Sequence, residues 1–222
     1  MLRLWGRQSS INVQKVLWCL AELGYKAGKD FERIDAGLEF GINHSPEYLH
    51  KNPNGLVPTL EDGDVVLWES NSIMRYLAGK FDTKQRFPNS LLAQSQSNKW
   101  LDWQLSTMWP PLRGTFLGLT RTREAERNYV AIKKGYQDTN VHLAMLDTIL
   151  SKQPFCSGEQ FNLGDIALAL CVNRWILLHE TFPEQTGPKA SLDNIDQWLK
   201  RLKTQTHYSD ITETQLNIVK LD

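Results

Sequence analysis

The chain has 222 residues, 41% of them hydrophobic and eight of them tryptophan, which is enough for one large domain or two small ones with a well-built core. Lys and Arg balance Asp and Glu at a net charge of zero, so we do not expect a nucleic acid or an anionic membrane as partner. No apolar run reaches the roughly 18 residues of a membrane span, and the N-terminus lacks the apolar region of a signal peptide. We therefore expect a cytoplasmic protein.

The first eighty residues alternate between strand and helix patterns, which is typical of a mixed sheet covered by helices. A Gly turn at Asp62-Gly63 predicts a hairpin within this part. In chain order the predicted elements are a strand at Leu2–Trp5, a helix at Ser10–Leu23, a strand at Phe31–Ile34, a short helix at Pro46–His50, hairpin strands at Val57–Leu60 and Val65–Trp68, and a helix at Ser70–Lys80.

Strand signals are absent after about Leu91, and helical periodicity predicts an all-helical second half. We predict domains at residues 1–81 and 91–222, joined by a polar linker at residues 82–90. The predicted helices are one that contains Leu101, Leu105 and Met108 and ends at Pro110-Pro111, a long one from about Glu124 to Leu150, an apolar one from Asp165 to His179, and a last one from Leu192 to Leu202.

Cysteine and histidine spacings give no sign of a metal site. The three cysteines are Cys19, Cys156 and Cys171, far apart and without a C-x-x-C pair, so we expect buried free thiols. The five histidines form no ligand pattern. Asn162-Leu163-Gly164-Asp165 reads as a capping pair for the apolar helix, which is a folding device.

The segment Asn52–Leu77 carries the densest set of functional signals. The Val57-Pro58 bond at the entry to a strand is a candidate for the cis isomer. The proline donates no hydrogen bond to a sheet, which leaves the backbone of Val57 open to an extended ligand. Glu69-Ser70 opens a helix whose N–H groups favour an anion. The competing interpretation is that any hairpin followed by a helix needs such a turn and cap.

Three motifs in order resemble those of the glutathione transferase superfamily, and the resemblance covers essentially the whole chain. The motifs are N-P-N-G-L-V-P-T-L at residues 52–60, W-E-S-N-S-I at residues 68–73 and F-N-L-G-D-I-A at residues 161–167. Residues 4–24 resemble the bacterial and theta-like serine-type members. The resemblance implies a thioredoxin-like α/β domain followed by an all-α domain, glutathione as co-substrate, and a homodimer.

The resemblance also implies how glutathione is held. Pro58 matches the family's cis proline, and the Val57 backbone pairs with the cysteinyl part. Glu69 faces the ammonium of the γ-glutamyl end and Ser70 faces its carboxylate. The glycyl end lies near residues 37–44 and Lys51-Asn52, where Lys51 is a carboxylate partner and His44 an alternative.

A hydroxyl at the start of the first helix supplies the chemistry that the thiol of glutathione needs. A free thiol has a pKa near ~8.5, and a hydrogen bond together with a helix N-terminus stabilises its thiolate. Matching to serine-type relatives selects Ser10, with Ser9 as the alternative and Asn12 as a further contact. The competing interpretation is that one serine is only the helix N-cap. Because Ser10 stands where thioredoxin-like proteins carry a redox cysteine, a reductase role is disfavoured.

The second substrate of such an enzyme is a small hydrophobic electrophile, held in relatives by an apolar pocket between the two halves. Trp5, Trp103 and Met108 are candidate walls, and Arg121 and Arg123 are candidate receptors for an acidic electrophile. Core packing and solvated arginines are the competing interpretations. Two other functions stay open: a non-catalytic binding or assembly module, and a glutathione-dependent dehalogenase, isomerase or peroxidase.

Overall fold

The computed structural model describes residues 1–219, which form two compact units. The first unit comprises Met1–Asn89 together with Thr206–Thr214, and the second comprises Ser90–Gln205 together with residues 215–219. The boundaries predicted from sequence place Thr206–Thr214 with the helical half, whereas in the structure this segment folds with the N-terminal unit.

The first unit has the predicted β-α-β-α-β-β-α order. Its β-branched and aromatic runs form short strands, and its longer amphipathic runs form helices. The elements are β1 (Leu2–Trp5), α1 (Ile11–Glu22), β2 (Phe31–Ile34), α2 (Pro46–Lys51), β3 (Thr59–Asp62), β4 (Val65–Trp68) and α3 (Ser70–Phe81), with a 3₁₀ turn at Leu38–Phe40.

The four strands form one mixed sheet in the order β2-β1-β3-β4, with β1 parallel to β2 and the other pairs antiparallel. Leu2 and Leu4 alternate inward along β1 and are buried. On the opposite face, the ring of Trp5 contacts Tyr48 of α2 edge-on at 5.9 Å. Strand β3 begins at Thr59 and not at the predicted Val57, because Pro58 has no N–H for the ladder.

The second unit is helical, as predicted. Most of its helices bury one face, whereas the apolar helix near its centre is buried almost all round. The helices are α4 (Leu91–Trp103), α5 (Trp109–Thr120), α6 (Tyr129–Leu150), α7 (Leu163–Thr181), α8 (Pro183–Thr186) and α9 (Asp193–Gln205), with a π turn at Gln104–Met108 and a 3₁₀ turn at Glu124–Glu126.

Two helix ends differ from the prediction. The stop at Pro110-Pro111 is wrong, because these prolines occupy the first turn of α5, where no backbone N–H is needed. A π turn joins that helix to α4. The start of the long helix at Glu124 is also wrong, because Asn128 caps α6 by accepting a hydrogen bond from the N–H of Ala131 at 3.0 Å.

The N-terminus of α7 confirms the predicted capping pair. The side chain of Asn162 accepts a hydrogen bond from the N–H of Gly164 at 2.8 Å, and Asp165 accepts one from the N–H of Asn162 at 3.0 Å. Asp165 is fully buried and also accepts from the indole N–H of Trp198 at 3.0 Å. Burial raises the pKa of this carboxyl to about 6 in spite of its donors.

Glu22, at the end of α1, joins the C-terminal segment to the first unit. Its side chain is only 4% exposed and forms an ion pair with Arg86 at 2.6 Å. It accepts hydrogen bonds from the indole of Trp18 at 2.9 Å and from the backbone N–H of His207 at 2.7 Å. His207 directly precedes α10 (Tyr208–Thr212).

The three cysteines are buried, as predicted, and none of them forms a disulfide within residues 1–219. Desolvation raises the pKa values of the Cys19 and Cys156 thiols above the ordinary range, so both stay protonated at neutral pH. Among residues 1–219, no cluster of His, Cys, Asp and Glu side chains is placed to hold a metal ion. Within the same residues, every helix is too short or too polar to cross a bilayer.

Candidate functional site

A shallow groove lies beside the start of β3 in the first unit. It brings together the loop before that strand, the residues that lead into α3, and one residue of α1. Its cavity volume is about 40 Å³, so a bound tripeptide would lie mainly across its surface. The groove is lined by Asn12, Asn52, Asn54, Leu56, Val57, Pro58, Trp68, Glu69 and Ser70.

The loop that enters β3 presents unpaired backbone to this groove. The Val57-Pro58 peptide bond is cis, as the sequence suggests. Leu56 directs its carbonyl inward, where it accepts hydrogen bonds from the Tyr48 hydroxyl at 2.6 Å and from the Asn52 amide at 2.9 Å. Among residues 1–219, the backbone of Val57 has no hydrogen-bond partner. An extended ligand can therefore pair with Val57 as one more strand.

Asn52, predicted as a glutathione contact, holds the loop in place. It is 2% exposed. Its amide group donates to the Leu56 carbonyl and to the Thr59 hydroxyl at 3.1 Å, and its oxygen accepts from the N–H of Asn54 at 3.1 Å. A buried amide with its hydrogen bonds made within the loop positions the groove wall.

The residue before α3 has an unusual backbone conformation. Glu69 is an exposed non-glycine residue with φ of 70°, a sparsely populated conformation. It occupies the N-cap position, yet its side chain makes no capping hydrogen bond. Ser70, the first residue of α3, is 4% exposed and its hydroxyl donates to the amide oxygen of Asn12 at 3.3 Å. The helix N-terminus adds partial positive charge beside these groups.

Ser10 is the N-cap residue of α1, with extended backbone at φ −78° and ψ 122°. Its carbonyl accepts from the N–H of Gln14 at 2.9 Å and its own N–H donates to the carbonyl of Arg7 at 3.2 Å. Its side chain makes no capping hydrogen bond. Ser9 precedes it in the same turn and is half-buried. Asn12 lines the groove, whereas neither serine is part of the groove wall.

Lys51 and His44, predicted near the glycyl end, lie outside the groove wall. The Lys51 ammonium forms an ion pair with Glu61 at 3.2 Å and a longer one with Glu47 at 3.8 Å. It also lies 5.5 Å from the centre of the Trp5 ring. The Nε2 of His44 lies 3.1 Å from the side-chain amide nitrogen of its neighbour Asn43.

The candidate electrophile contacts are buried or have partners within their own unit. The Trp5 indole donates to the Glu61 carboxylate under α2. Trp103 contacts Trp100 and His142 edge-on at 5.5 and 5.9 Å, and Met108 is fully buried. Arg123 is exposed beside Glu126 at 4.0 Å. Arg121 donates to the backbone carbonyls of Thr120 and Asn217.

Sequence reasoning missed Asn54, Leu56 and Trp68 as parts of the groove wall. All three stand inside the N-P-N-G-L-V-P-T-L and W-E-S-N-S-I motifs, so treating every residue of each motif as a candidate for the groove would have found them. It also assigned no role to Arg7, whose guanidinium lies beside Gly37, as does the side chain of Val57.

A scan against protein families matches residues 1–79 to the N-terminal domain of glutathione S-transferase. The glutathione S-transferase GstB of Escherichia coli K12 is 44% identical over 171 residues, covering 76% of this chain and 80% of that protein. Glutathione S-transferase F10 of Arabidopsis thaliana is 31% identical over 198 residues, covering 83% and 86% of the two chains.

Solved structures give the same result. The theta-class glutathione S-transferase of Xanthomonas axonopodis pv. citri, solved with glutathione bound, superposes with a TM-score of 0.85 at 36% identity and covers 97% of this chain and 98% of its own. This confirms the predicted fold, a thioredoxin-like α/β domain with an all-helical partner domain. Together the matches show that the chain belongs to the glutathione S-transferase family.

Proposed function

We propose that the protein binds glutathione along the groove, stabilises its thiolate through the hydroxyl of Ser10, and conjugates it to a small electrophile. Glutathione is the co-substrate of the family to which the chain belongs. The observation that supports the proposal most directly is that Ser10 stands at a helix N-terminus without using its hydroxyl as a cap. That hydroxyl remains available to donate to a ligand sulfur.

The chemistry follows from the acidity of the ligand thiol. Only a few per cent of a thiol with a pKa near ~8.5 is ionised at neutral pH. A hydrogen bond from Ser10 and the positive end of α1 both favour the thiolate, so the proton passes to solvent at lower pH. The thiolate then attacks the electrophilic carbon. A C–S bond forms, and a halide leaves with its bonding electrons or an activated double bond accepts them.

The peptide end of glutathione has matching groups along the groove. The carboxylate of Glu69 receives the γ-glutamyl ammonium, and the start of α3 with Ser70 receives the neighbouring carboxylate. The open backbone of Val57, held by cis Pro58, pairs with the cysteinyl part. The glycyl carboxylate lies towards His44 and Lys51. The ammonium of Lys51 would then contact both the glycyl carboxylate and Glu61.

We further propose a cytoplasmic homodimer. β4 is an edge strand of the sheet, and its side chains Val65, Val66 and Trp68 are each about 40% exposed. Exposed apolar side chains along an edge strand favour burial against a second copy. Light scattering of the purified protein measures this directly, and a monomer at micromolar concentration would contradict it.

The thiolate proposal is tested by the ultraviolet absorption of bound glutathione as a function of pH. We expect the thiolate band to appear at lower pH in the complex than in free glutathione. Ser10→Ala should move it back towards the free value, and Ser9→Ala, in the same turn, is the matched control. A band that appears no earlier in the complex than in free glutathione would support a non-catalytic module instead.

A further inference from the structure

Arg7 lies in the turn that carries Ser10. Its backbone N–H donates to the carbonyl of Ala36 at 3.2 Å, and its carbonyl accepts from the N–H of Ser10 at 3.2 Å. The turn between β1 and α1 is therefore closed by Arg7 at one end and Ser10 at the other. A group bound by the Arg7 side chain would be close to the proposed site of thiol activation.

The guanidinium of Arg7 extends over Gly37. A Cβ atom at Gly37 would lie 2.6 Å from the Nη1 of Arg7 and 3.7 Å from the Cγ atoms of Val57. A side chain at Gly37 would force the guanidinium to shift, and the φ of 86° at this position suits glycine. The charge therefore lies between the turn that begins α1 and the loop that pairs with the peptide.

The charge of Arg7 is not balanced by a close carboxylate. Among residues 1–219 it forms no ion pair, and its buried Nε has no hydrogen-bond partner. Glu39 acts on it only at longer range, and burial lowers the pKa of the guanidinium below its ordinary value. By contrast, four other cations of this unit form ion pairs: Arg3 with Glu32, Arg33 with Asp35, Arg86 with Glu22 and Lys51 with Glu61.

A half-buried arginine with an unsatisfied N–H suits an anionic ligand. The planar guanidinium presents N–H groups in the geometry of a carboxylate, and a buried donor without an acceptor is unfavourable until a ligand supplies one. Both carboxylates of glutathione have other receivers under the proposed function: the start of α3 and Lys51. The remaining molecule that must lie beside the thiolate is the electrophile.

We propose that Arg7 binds the carboxylate of an acidic electrophile and so makes the enzyme selective for anionic substrates. This inference rests on the proposed function. For a chloronitrobenzoate, the thiolate attacks the ring carbon that bears chlorine, a C–S bond forms, and the C–Cl bond breaks to release chloride. Arg7 takes no proton in this step and only holds the carboxylate.

The test compares 4-chloro-3-nitrobenzoate with 4-chloro-3-nitrobenzamide, which differ in charge but share the same leaving group. In Arg7→Gln, kcat/KM for the benzoate should fall about 10- to 100-fold, since hydrogen bonds to charged groups contribute about 1.5–3 kcal/mol. The value for the amide should change less than about threefold. Arg3→Gln is the matched control, because Arg3 is an exposed arginine on β1, and it should affect neither substrate.

Binding of unreactive analogues makes the result independent of turnover. Isothermal titration of the glutathione-loaded wild type should show tighter binding of 4-methyl-3-nitrobenzoate than of its amide, and Arg7→Gln should remove the difference. Equal affinities of the wild type for the benzoate and amide analogues would overturn the inference. So would an equal fall in kcat/KM for the two substrates in Arg7→Gln. A wild type that conjugates neither substrate yet prefers the benzoate analogue would contradict the proposed function and leave the Arg7 site standing.

Discussion

Two helix N-termini in this chain begin with similar polar residues and yet differ in how their hydrogen bonds are used. At α7, the side chain of Asn162 and the side chain of Asp165 each accept a hydrogen bond from the other residue's backbone N–H. Asp165 also accepts a hydrogen bond from the backbone N–H of Cys156 at 2.9 Å. At α1, Ser10 occupies the N-cap position and its hydroxyl bonds to no backbone N–H of the helix.

The difference separates a folding device from a candidate reactive group. A cap whose polar atoms are all paired stabilises its helix and has nothing left to offer a ligand. A hydroxyl at the same position without a capping bond contributes little to the helix but can donate to an anion. We therefore expect changes at α7 to alter stability, and changes at α1 and α3 to alter function.

The largest effect should follow from Ser10→Ala. Loss of a donor to a developing or bound anion typically lowers the rate about 10²- to 10³-fold, and kcat/KM with a good electrophile should fall to that extent. The thermal midpoint should change little, since no capping bond is lost. Ser9→Ala is the control, and a loss in that variant with little change in Ser10→Ala would assign the thiol contact to Ser9.

The converse change is Asp165→Ala in α7. It leaves the buried donors of Cys156, Asn162 and Trp198 without their acceptor, so the free energy of unfolding should fall by about 3 kcal/mol. Urea denaturation measures this. The pH at which the thiol of bound glutathione ionises should be the same as in the wild type. A shift in that pH would mean that the N-termini of α1 and α7 are not independent.

Asp165 also gives the stability a pH dependence. Its pKa is raised to about 6 in the folded state from its ordinary value of 3.8, so the folded state binds more protons between these values. The contribution of Asp165 to stability is thus present below about pH 4 and lost as pH rises through about 6. In Asp165→Asn, the free energy of unfolding from pH 4 to 7 should lack this fall, whereas an unchanged slope would place the titration elsewhere.

A smaller effect is expected at the start of α3. Glu69→Gln and Ser70→Ala should each weaken glutathione binding by about 10-fold, in line with the loss of one hydrogen bond to a charged group. Isothermal titration gives the dissociation constants, and circular dichroism should show unchanged folding. Ser72→Ala, an exposed residue on the same turn, is the control. Wild-type affinity for glutathione in both variants would contradict the assignment of the γ-glutamyl site to Glu69 and Ser70.

The smallest effect should come from the cysteines of the chain. Because burial keeps the thiols of Cys19 and Cys156 protonated, a thiol reagent such as dithionitrobenzoate should react slowly with the native protein. All three cysteines should react once urea unfolds it. Activity should survive treatment of the native protein, and rapid loss would mean that a protein thiol takes part.

Local sequence signals predicted the features that depend on neighbours in the chain. The strands Leu2–Trp5 and Phe31–Ile34, the cis bond before Pro58 and the cap of α7 each follow from a few adjacent residues. Pro110-Pro111 misled because a proline is read as a stop, although it is equally suited to the first turn of a new helix.

The parts of the candidate site that could not be predicted depend on residues distant in the chain. The ion pair of Lys51 with Glu61 connects α2 to β3. The spacing of these two residues in the sequence does not predict it. The position of Arg7 over Gly37 depends on how β1 and β2 pair. Sequence patterns describe which groups are available, whereas the fold decides which of them are already paired.

The contact between Glu22 and His207 has a consequence for biosynthesis. The N-terminal unit includes Thr206–Thr214, so its last piece leaves the ribosome only after residues 90–205 of the helical unit have been made. Until then the buried carboxylate of Glu22 lacks the backbone N–H of His207. We expect the nascent α/β half to stay incomplete and open to chaperones during translation, with the helical half able to form first.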